Sequence, residues 1–457
     1  MTRPGILLVN PWIHDFAAYD MWAKPLGLLV LGSMLKSQGW DPILVDCLDP
    51  DHRSLSCLRR SRKSHGKYHK SSLEKPEALQ SIPRAFSRYG VPVDEIRKDL
   101  QNLEPPKAIL VTCLMTYWYT GLVETCGVLR EIFPGIPLIL GGVYASLMPE
   151  HALKSTGVDE VIVGPAEFKL PDALYRWTSI EPANSAAAPQ LHFAPDLDLL
   201  NKVRFLPLLT SRGCPYRCVY CASRIVQPTY ERRSPREVIK EIELNLSKYD
   251  ADEIVLYDDA FLCEANDYAL PILDTFSSSN PTLKWHTPNG LHVSAITPTV
   301  ASALKKAGFK TIRLGLESSS DQFHRSSGGK TRWDDFLKAV KYLRDAGFEK
   351  HEIGVYLLVG LPGQTSDQVE SDVEMALEAG VYPRLAEYSP IPGSALWSSS
   401  IKTGRYPIES EPLYQNCSLL SVATEQITWN FLSRMRKMIH QSFESGRMDQ
   451  FDSSLHS

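Results

Sequence analysis

The chain has 457 residues, 43% of them hydrophobic and 22% charged, a balance that fits a globular protein of more than one domain. A formal net charge of −4 gives no electrostatic basis for nucleic acid or an anionic membrane as the main partner, and the most apolar run, Pro25–Leu35, is too short to span a bilayer. Nine cysteines, an odd number scattered apart from one cluster, exclude a disulfide framework and point to a reducing, cytoplasmic setting.

The first residues, MTRPGILLVNP, enter a strand pattern at once, without the layout of a signal peptide. Runs at Gly5–Asn10, Pro42–Asp46, Ala108–Leu114, Pro137–Gly142 and Asp159–Gly164 are short, apolar and β-branched, the pattern of strands buried on both faces. Helical stretches separate them, LGLLVLGSMLKSQG and YTGLVETCGVLREIF among them. This alternation predicts an α/β fold opening with a Rossmann-like, doubly wound parallel sheet over residues 1–178, whose ligands sit at the carboxyl ends of the strands. Those ends include Asn10-Pro11-Trp12, CLMTYWY (Cys113–Tyr119), GGVYAS (Gly141–Ser146) and GPAE (Gly164–Glu167). Residues 51–105 interrupt the rhythm with the basic, Ser-rich tract RRSRKSHGKYHK and read as a mobile insertion, with a substrate-facing lid as its functional alternative. The Ala/Pro-rich SIEPANSAAAPQ reads as part of a linker over 179–200.

A second series follows. Leu206–Ser211, Glu253–Asp259, Leu283–Gly290, Thr311–Ser318, Ile353–Gly360 and Arg384–Pro390 alternate with amphipathic helices such as SPREVIKEIELNLSKY. Six β/α units predict a partial (β/α)6 TIM-type barrel over 201–398, with its site at the strand C-termini. Residues 399–457 read as a helical C-terminal region, patterned around Ala423–Ser442 and frayed at the end.

The loop after the first barrel strand holds Cys214, Cys218 and Cys221 at CxxxCxxC spacing, with no fourth ligand nearby. A structural zinc site closes a tetrahedron with four ligands and has no second pair here. A cubane iron–sulfur cluster held by three thiolates keeps one iron open. The motif, with aromatic Tyr220 before its last cysteine, resembles that of the radical S-adenosylmethionine superfamily. The resemblance covers roughly Phe205–Trp397 and implies a 4Fe–4S cluster on the three cysteines, with S-adenosylmethionine chelating the fourth iron and a 5′-deoxyadenosyl radical as the product of its cleavage. It also implies cofactor-binding roles for Asp258 and Asp259 (methionine amino group), Glu317 (ribose) and the loop of Gly360 and Gly363 (adenine). PIPGS (Pro390–Ser394) looks like a closing Pro/Gly motif common in such barrels. His286, Tyr356, Glu387 and Tyr388 are barrel-mouth candidates: His286 is a candidate for acid/base work on a substrate, with a structural histidine as the alternative, and the other three have no assigned role.

The first domain is similar to the cobalamin-binding domain of a subgroup of that superfamily, which implicates Trp12, Tyr117, Trp118, Gly141, Gly142 and Tyr144 in holding a corrin. It departs from the pattern in two places: no DxHxxG motif is present, and Gly141-Gly142-Val143-Tyr144 stands where GG-x-H is usual. The resemblance implies methylation of an unactivated carbon in a small molecule or peptide, with a flavodoxin- or ferredoxin-like reductant as partner. Two alternatives stand beside it: a radical enzyme with a non-cobalamin first domain, catalysing rearrangement or cyclisation, and a non-catalytic iron–sulfur carrier or sensor. A tRNA methylthiotransferase would need a second cysteine trio, and Cys47, Cys57, Cys113 and Cys126 lack that spacing.

Overall fold

A computed structural model describes residues 3–55, 65–183, 193–280 and 282–443. The chain divides into two units, Met1–Val203 with Ser410–Gln415, and Arg204–Glu409 with Asn416–Ser457. Among the described residues no helix is long and apolar enough to cross a membrane.

The first unit is built on five parallel strands, in spatial order Glu160–Val161, Leu138–Gly141, Ala108–Thr112, Gly5–Asn10, Asp41–Asp46. Alternate residues of each strand serve opposite faces. Leu7, Val9, Ile109, Val111, Leu138 and Leu140 join one core, and Ile6, Leu8, Ala108, Leu110 and Ile139 join the other. The connections reverse direction between Gly5–Asn10 and Ala108–Thr112, so the binding crevice of this topology opens where Asn10-Pro11-Trp12 and Cys113–Tyr119 emerge.

Two expectations for this unit are corrected. The described part of the 51–105 insertion is structured: Lys70–Leu73 and Phe86–Tyr89 pair antiparallel, Phe86–Tyr89 also pairs with Ile13–Asp15, and the helix Val93–Gln101 follows. Buried Leu79, Phe86, Tyr89 and Val91 hold it down, apolar anchors hidden among polar neighbours. Cys57 and the first half of the basic tract, residues 59–64, lie outside the described residues. The 179–200 segment, where described, is packed against the helix Leu26–Ser37 rather than hanging as a linker. Ala183 N–H donates to Gln38 O at 3.0 Å and Asp196 N–H to Leu29 O at 2.9 Å, while Ser33 Oγ donates to Ala194 O at 2.6 Å. Gly32 permits the contact, since a Cβ there would meet Leu199 Cδ1 at 2.5 Å.

The second unit is a partial barrel. Its six main strands, Leu206–Leu208, Glu253–Leu256, Lys284–His286, Phe309–Glu317, Ile353–Val359 and Tyr382–Glu387, lie side by side in chain order and all parallel. The helix Pro235–Lys248 starts on the capping box that SPRE spells, Ser234 Oγ accepting from Glu237 N–H and Glu237 from Ser234 N–H. The C-terminal region is not a separate body. The helix Trp429–Phe443 packs through Phe431, Leu432 and Met435 on Val359 and Val369 of the barrel, while Ser410–Gln415 belong to the first unit. The tail expected to fray, from residue 444, lies outside the described residues.

Candidate active site

The cysteine loop is closed at its base by an antiparallel bridge, Ser211 opposite Arg232 and Arg212 opposite Glu231. Gly213 turns the chain out of the bridge at φ +71°, where a Cβ would stand 2.3 Å from Thr229 O. Farther along, Val219 N–H donates to Ser327 O at 3.2 Å and Leu396 N–H to Val219 O at 3.0 Å, so two other loops of the barrel mouth grip the middle of the motif.

Asp258 braces the start of the loop. Its carboxylate accepts from Thr210 N–H (3.0 Å), Thr210 Oγ1 (2.7 Å), Ser211 N–H (2.6 Å) and Ser211 Oγ (2.6 Å). Burial pushes this carboxyl up, and those bonds oppose the shift. With its oxygens so engaged, Asp258, which the resemblance places at the methionine amino group, braces the start of the cysteine loop. Asp259 stands nearer the cysteines: its Oδ2 accepts from Ser223 Oγ at 2.8 Å, and Ser223 N lies 3.4 Å from Cys221 Sγ.

Glu317 ends the fourth strand at φ +68°, beside a shift in register to the fifth, and is 8% exposed. Non-glycine residues held at positive φ cluster at active sites and ligand clamps. Lys330 Nζ donates to Glu317 Oε1 at 2.9 Å, and Gly315 leaves room for the pair, since a Cβ there would lie 3.2 Å from Oε1 and 3.4 Å from Nζ. Burial alone would lower the Lys330 pKa, but the charge of Glu317, ahead of Cys218, raises it on balance, so the ammonium persists beside the thiols. Tyr220 lies between this pair and Phe323, its ring 5.8 Å from Lys330 Nζ and stacked at 6.4 Å on Phe323.

The remaining sequence candidates divide. His286 is paired in register with Thr311, near the start of the fourth strand, and so lies deep in the barrel; burial lowers its pKa to about 4. The histidine at the mouth is His292, which sequence reasoning passed over: Pro288-Asn289-Gly290 interrupts the third strand, and Leu291–His292 resumes it beside Leu314 and Gly315. Tyr356 Oη donates to Pro288 O at 2.8 Å and props this turn. Tyr388 is buried against Ser400, and Glu387 is ion-paired with Arg436 of the C-terminal helix. Gly360 backs onto Ala423 and Leu420. Gly363 lines a cavity of about 720 Å³ that also touches Val219, Ser319, Phe323, Gln368 and Leu396.

Burial pushes the Cys214 thiol up to about 11 and also raises Cys218, with mutual repulsion among the thiols adding to the rise at Cys214. Thiols so placed lose their protons when a cation compensates the charge. Among the described residues no three His, Cys, Asp or Glu side chains converge on a single-ion site. Three thiols on one loop suit a multinuclear cluster, in which each takes a different iron.

In the first unit, Trp12 and Tyr144 are core residues, 1% and 0% exposed; Trp12 Nε1 donates to Val91 O at 2.7 Å and Tyr144 Oη bonds His151 Nδ1 at 2.6 Å. Tyr117 is buried as well, and Trp118 donates to Asp15 Oδ2 at 2.6 Å. What the crevice presents is aliphatic: Leu114 is 55% and Met115 36% exposed, directly after the switch-point strand. Gly141 has nothing within 4 Å of its Cβ position, whereas Gly142, at φ +94°, could take no Cβ without meeting Thr112 Oγ1 at 2.5 Å. An exposed apolar rim with open glycine backbone beside it fits a large ring with an apolar edge.

Residues 208–376 match the model of the Radical SAM superfamily, and residues 86–174 that of the B12 binding domain. An uncharacterized methyltransferase of Pyrococcus horikoshii is 25% identical over 337 residues, 67% of this chain and 72% of that protein. Anaerobic magnesium-protoporphyrin IX monomethyl ester cyclase of Rubrivivax gelatinosus is 21% identical over 344 residues, 66% of this chain but only 60% of the cyclase. Among solved structures, the radical S-adenosylmethionine methyltransferase TsrM from Kitasatospora setae, with cobalamin and a [4Fe–4S] cluster bound, shares the fold at a TM-score of 0.63 and 16% identity, over 89% of this chain and 76% of that one. The three-cysteine loop thus stands at the mouth of a six-stranded parallel barrel that carries a Radical SAM domain, and the sheet ahead of it carries a B12 binding domain, a pair of domains whose chemistry calls for a 4Fe–4S cluster, S-adenosylmethionine and cobalamin.

Proposed function

We propose that the protein methylates an unactivated carbon of a small molecule or peptide. When bound, the cluster, S-adenosylmethionine and cobalamin supply one-electron chemistry and a transferable methyl group. The chain's own residues bind and orient. Cys214, Cys218 and Cys221 hold the cluster. Glu317 and Lys330, a buried pair of opposite charges beside Cys218, have the chemistry to take the ribose hydroxyls and the carboxylate of S-adenosylmethionine, and Asp259 that to take its ammonium. Leu114, Met115 and the Gly141 backbone offer the corrin an apolar seat. The observation that carries the reading is the joint presence of the cysteine loop and a switch-point crevice rimmed with exposed aliphatic side chains.

The test is metal content followed by product analysis. Protein purified anaerobically from cells given cobalamin is expected to hold about four irons and one cobalt per chain. With reductant and S-adenosylmethionine it is expected to release both 5′-deoxyadenosine and S-adenosylhomocysteine. Iron without cobalt, and no cobalamin uptake on addition, would overturn methyl transfer and leave a radical enzyme of other chemistry. The substrate and the native reductant, for which a flavodoxin- or ferredoxin-like protein is proposed, follow from the same assay run with candidate partners.

A further inference from the structure

The break in the third barrel strand is held by specific bonds. Thr287 Oγ1 donates to Asn289 O at 2.6 Å, and Asn289 Nδ2 donates to Tyr257 O at 3.0 Å and Asp258 O at 3.3 Å. Gly290 then passes so close to the fourth strand that a Cβ would lie 3.2 Å from Gly315 N. The chain resumes as Leu291–His292, and His292 arrives against the cysteine loop. Its ring lies 4.2 Å from that of Tyr216, tilted by 40°, its Nε2 lies 4.0 Å from Cys214 Sγ, and it is 7% exposed. Tyr216 itself sits within the CxxxCxxC motif, so the motif carries its own platform for the imidazole.

We propose that His292 is a positioning residue that donates a hydrogen bond to the sulfur of Cys214 and thereby sets the reduction potential of the cluster. The inference rests on the reading that the three cysteines hold a 4Fe–4S cluster. A donor aimed at a ligating thiolate withdraws negative charge and favours the reduced, more negative cluster, so it raises the potential. Cys221 finds its partner locally, in Ser223 N and Oγ at 3.4 and 3.3 Å. Cys214 has a local backbone donor in Tyr216, and its side-chain partner comes from a different strand.

The experiment is an anaerobic redox titration of the full-length protein followed by electron paramagnetic resonance, with iron measured on each sample. His292→Leu is expected to keep its iron but to show a more negative midpoint, read as an about tenfold lower ratio of reduced to oxidised cluster at a fixed potential, the scale of one charge-assisted hydrogen bond. His292→Gln, which keeps an N–H donor, is expected to recover part of that loss. Tyr216→Leu, which removes the platform and not the donor, is expected to fall between the wild type and His292→Leu, and it serves as the test if His292→Leu does not fold. An unchanged midpoint in iron-replete His292→Leu or Tyr216→Leu would overturn the proposal. So would iron loss in His292→Leu that Gln does not repair, which assigns His292 to folding alone. Absence of a cluster from the wild type would instead overturn the reading on which the inference rests.

Discussion

Glu317 holds two costs at once, a left-handed backbone and a carboxylate only 8% exposed, and Lys330 offsets the second. Breaking such a pair leaves an uncompensated charge, which is worse than losing both partners. Glu317→Gln is therefore expected to destabilise the barrel by about 2 kcal/mol in urea unfolding and to abolish S-adenosylmethionine cleavage. Adding Lys330→Met to it is expected to recover stability and not activity; additive losses would show that the two residues do not interact. The residue scale is also where sequence reading was least complete. Spacing alone marks Cys214, Cys218 and Cys221, because little besides a metal cluster calls for three thiolates on one loop. Asp258 and Asp259 are adjacent in sequence and differ only in which neighbours their carboxylates reach, which no one-dimensional pattern records. His286 and His292 were separable in principle, since Pro288-Asn289-Gly290 is a turn signal inside an expected strand.

At the scale of elements, the cysteine loop depends on its stem. Gly213→Ala has to move Thr229 O by roughly an ångström or open the Ser211–Arg232 bridge, and it is expected to lose most of the bound iron while circular dichroism stays near that of the wild type. Retention of full iron would show that the bridge does not shape the loop. In the first unit, Glu124 on the helix Tyr119–Ile132 ties down one strand of the insertion, Phe86–Tyr89, and its partner strand Ile13–Asp15, accepting from Arg88 Nε at 2.7 Å and bonded to His14 Nε2 at 2.9 Å. Burial would raise its pKa, but His14 and Arg88 outweigh burial and hold it at about 2. A carboxyl depressed from 4.5 in this way adds stability that is present above pH 4.5 and lost as pH falls towards 2, about 3 kcal/mol in all. Glu124→Gln is accordingly expected to be less stable than the wild type at pH 7, with the gap narrowing below about pH 4.5 and closing only as pH falls through about 2; a gap independent of pH would rule out the linkage. The five strands of the first sheet and the six main strands of the barrel fall on runs legible in the sequence, because burial on both faces makes a parallel strand continuously apolar. Lys70–Leu73, with sequence KSSL, pairs antiparallel at an edge and carries no such signature.

For the whole molecule, the two family matches divide the cofactors between the units, the B12 binding domain in the first and the Radical SAM match in the second. Leu114→Asp places a charge on the crevice rim and is expected to lower cobalt content at least about tenfold while iron stays at the wild-type level. A parallel fall in iron would mean that the substitution unfolds the protein, and unchanged cobalt would move the corrin seat elsewhere. Domain order was legible because the alternation of strands and helices restarts after residue 200, whereas the return of Ser410–Gln415 to the first unit was not, since six residues of mixed polarity carry no periodicity.

That return has a consequence for biosynthesis. Thr116 Oγ1 donates to Gln415 Oε1, Tyr119 Oη reaches Glu411 Oε1 at 3.1 Å, and Gln415 is wholly buried. A ribosome delivers Thr116 and Tyr119 early and their partners only after the entire barrel has been translated. The first unit therefore waits, with a buried hydroxyl lacking its acceptor, until nearly the whole message has been read. A chain released anywhere inside the barrel leaves behind an unfinished first unit as well as an incomplete second one.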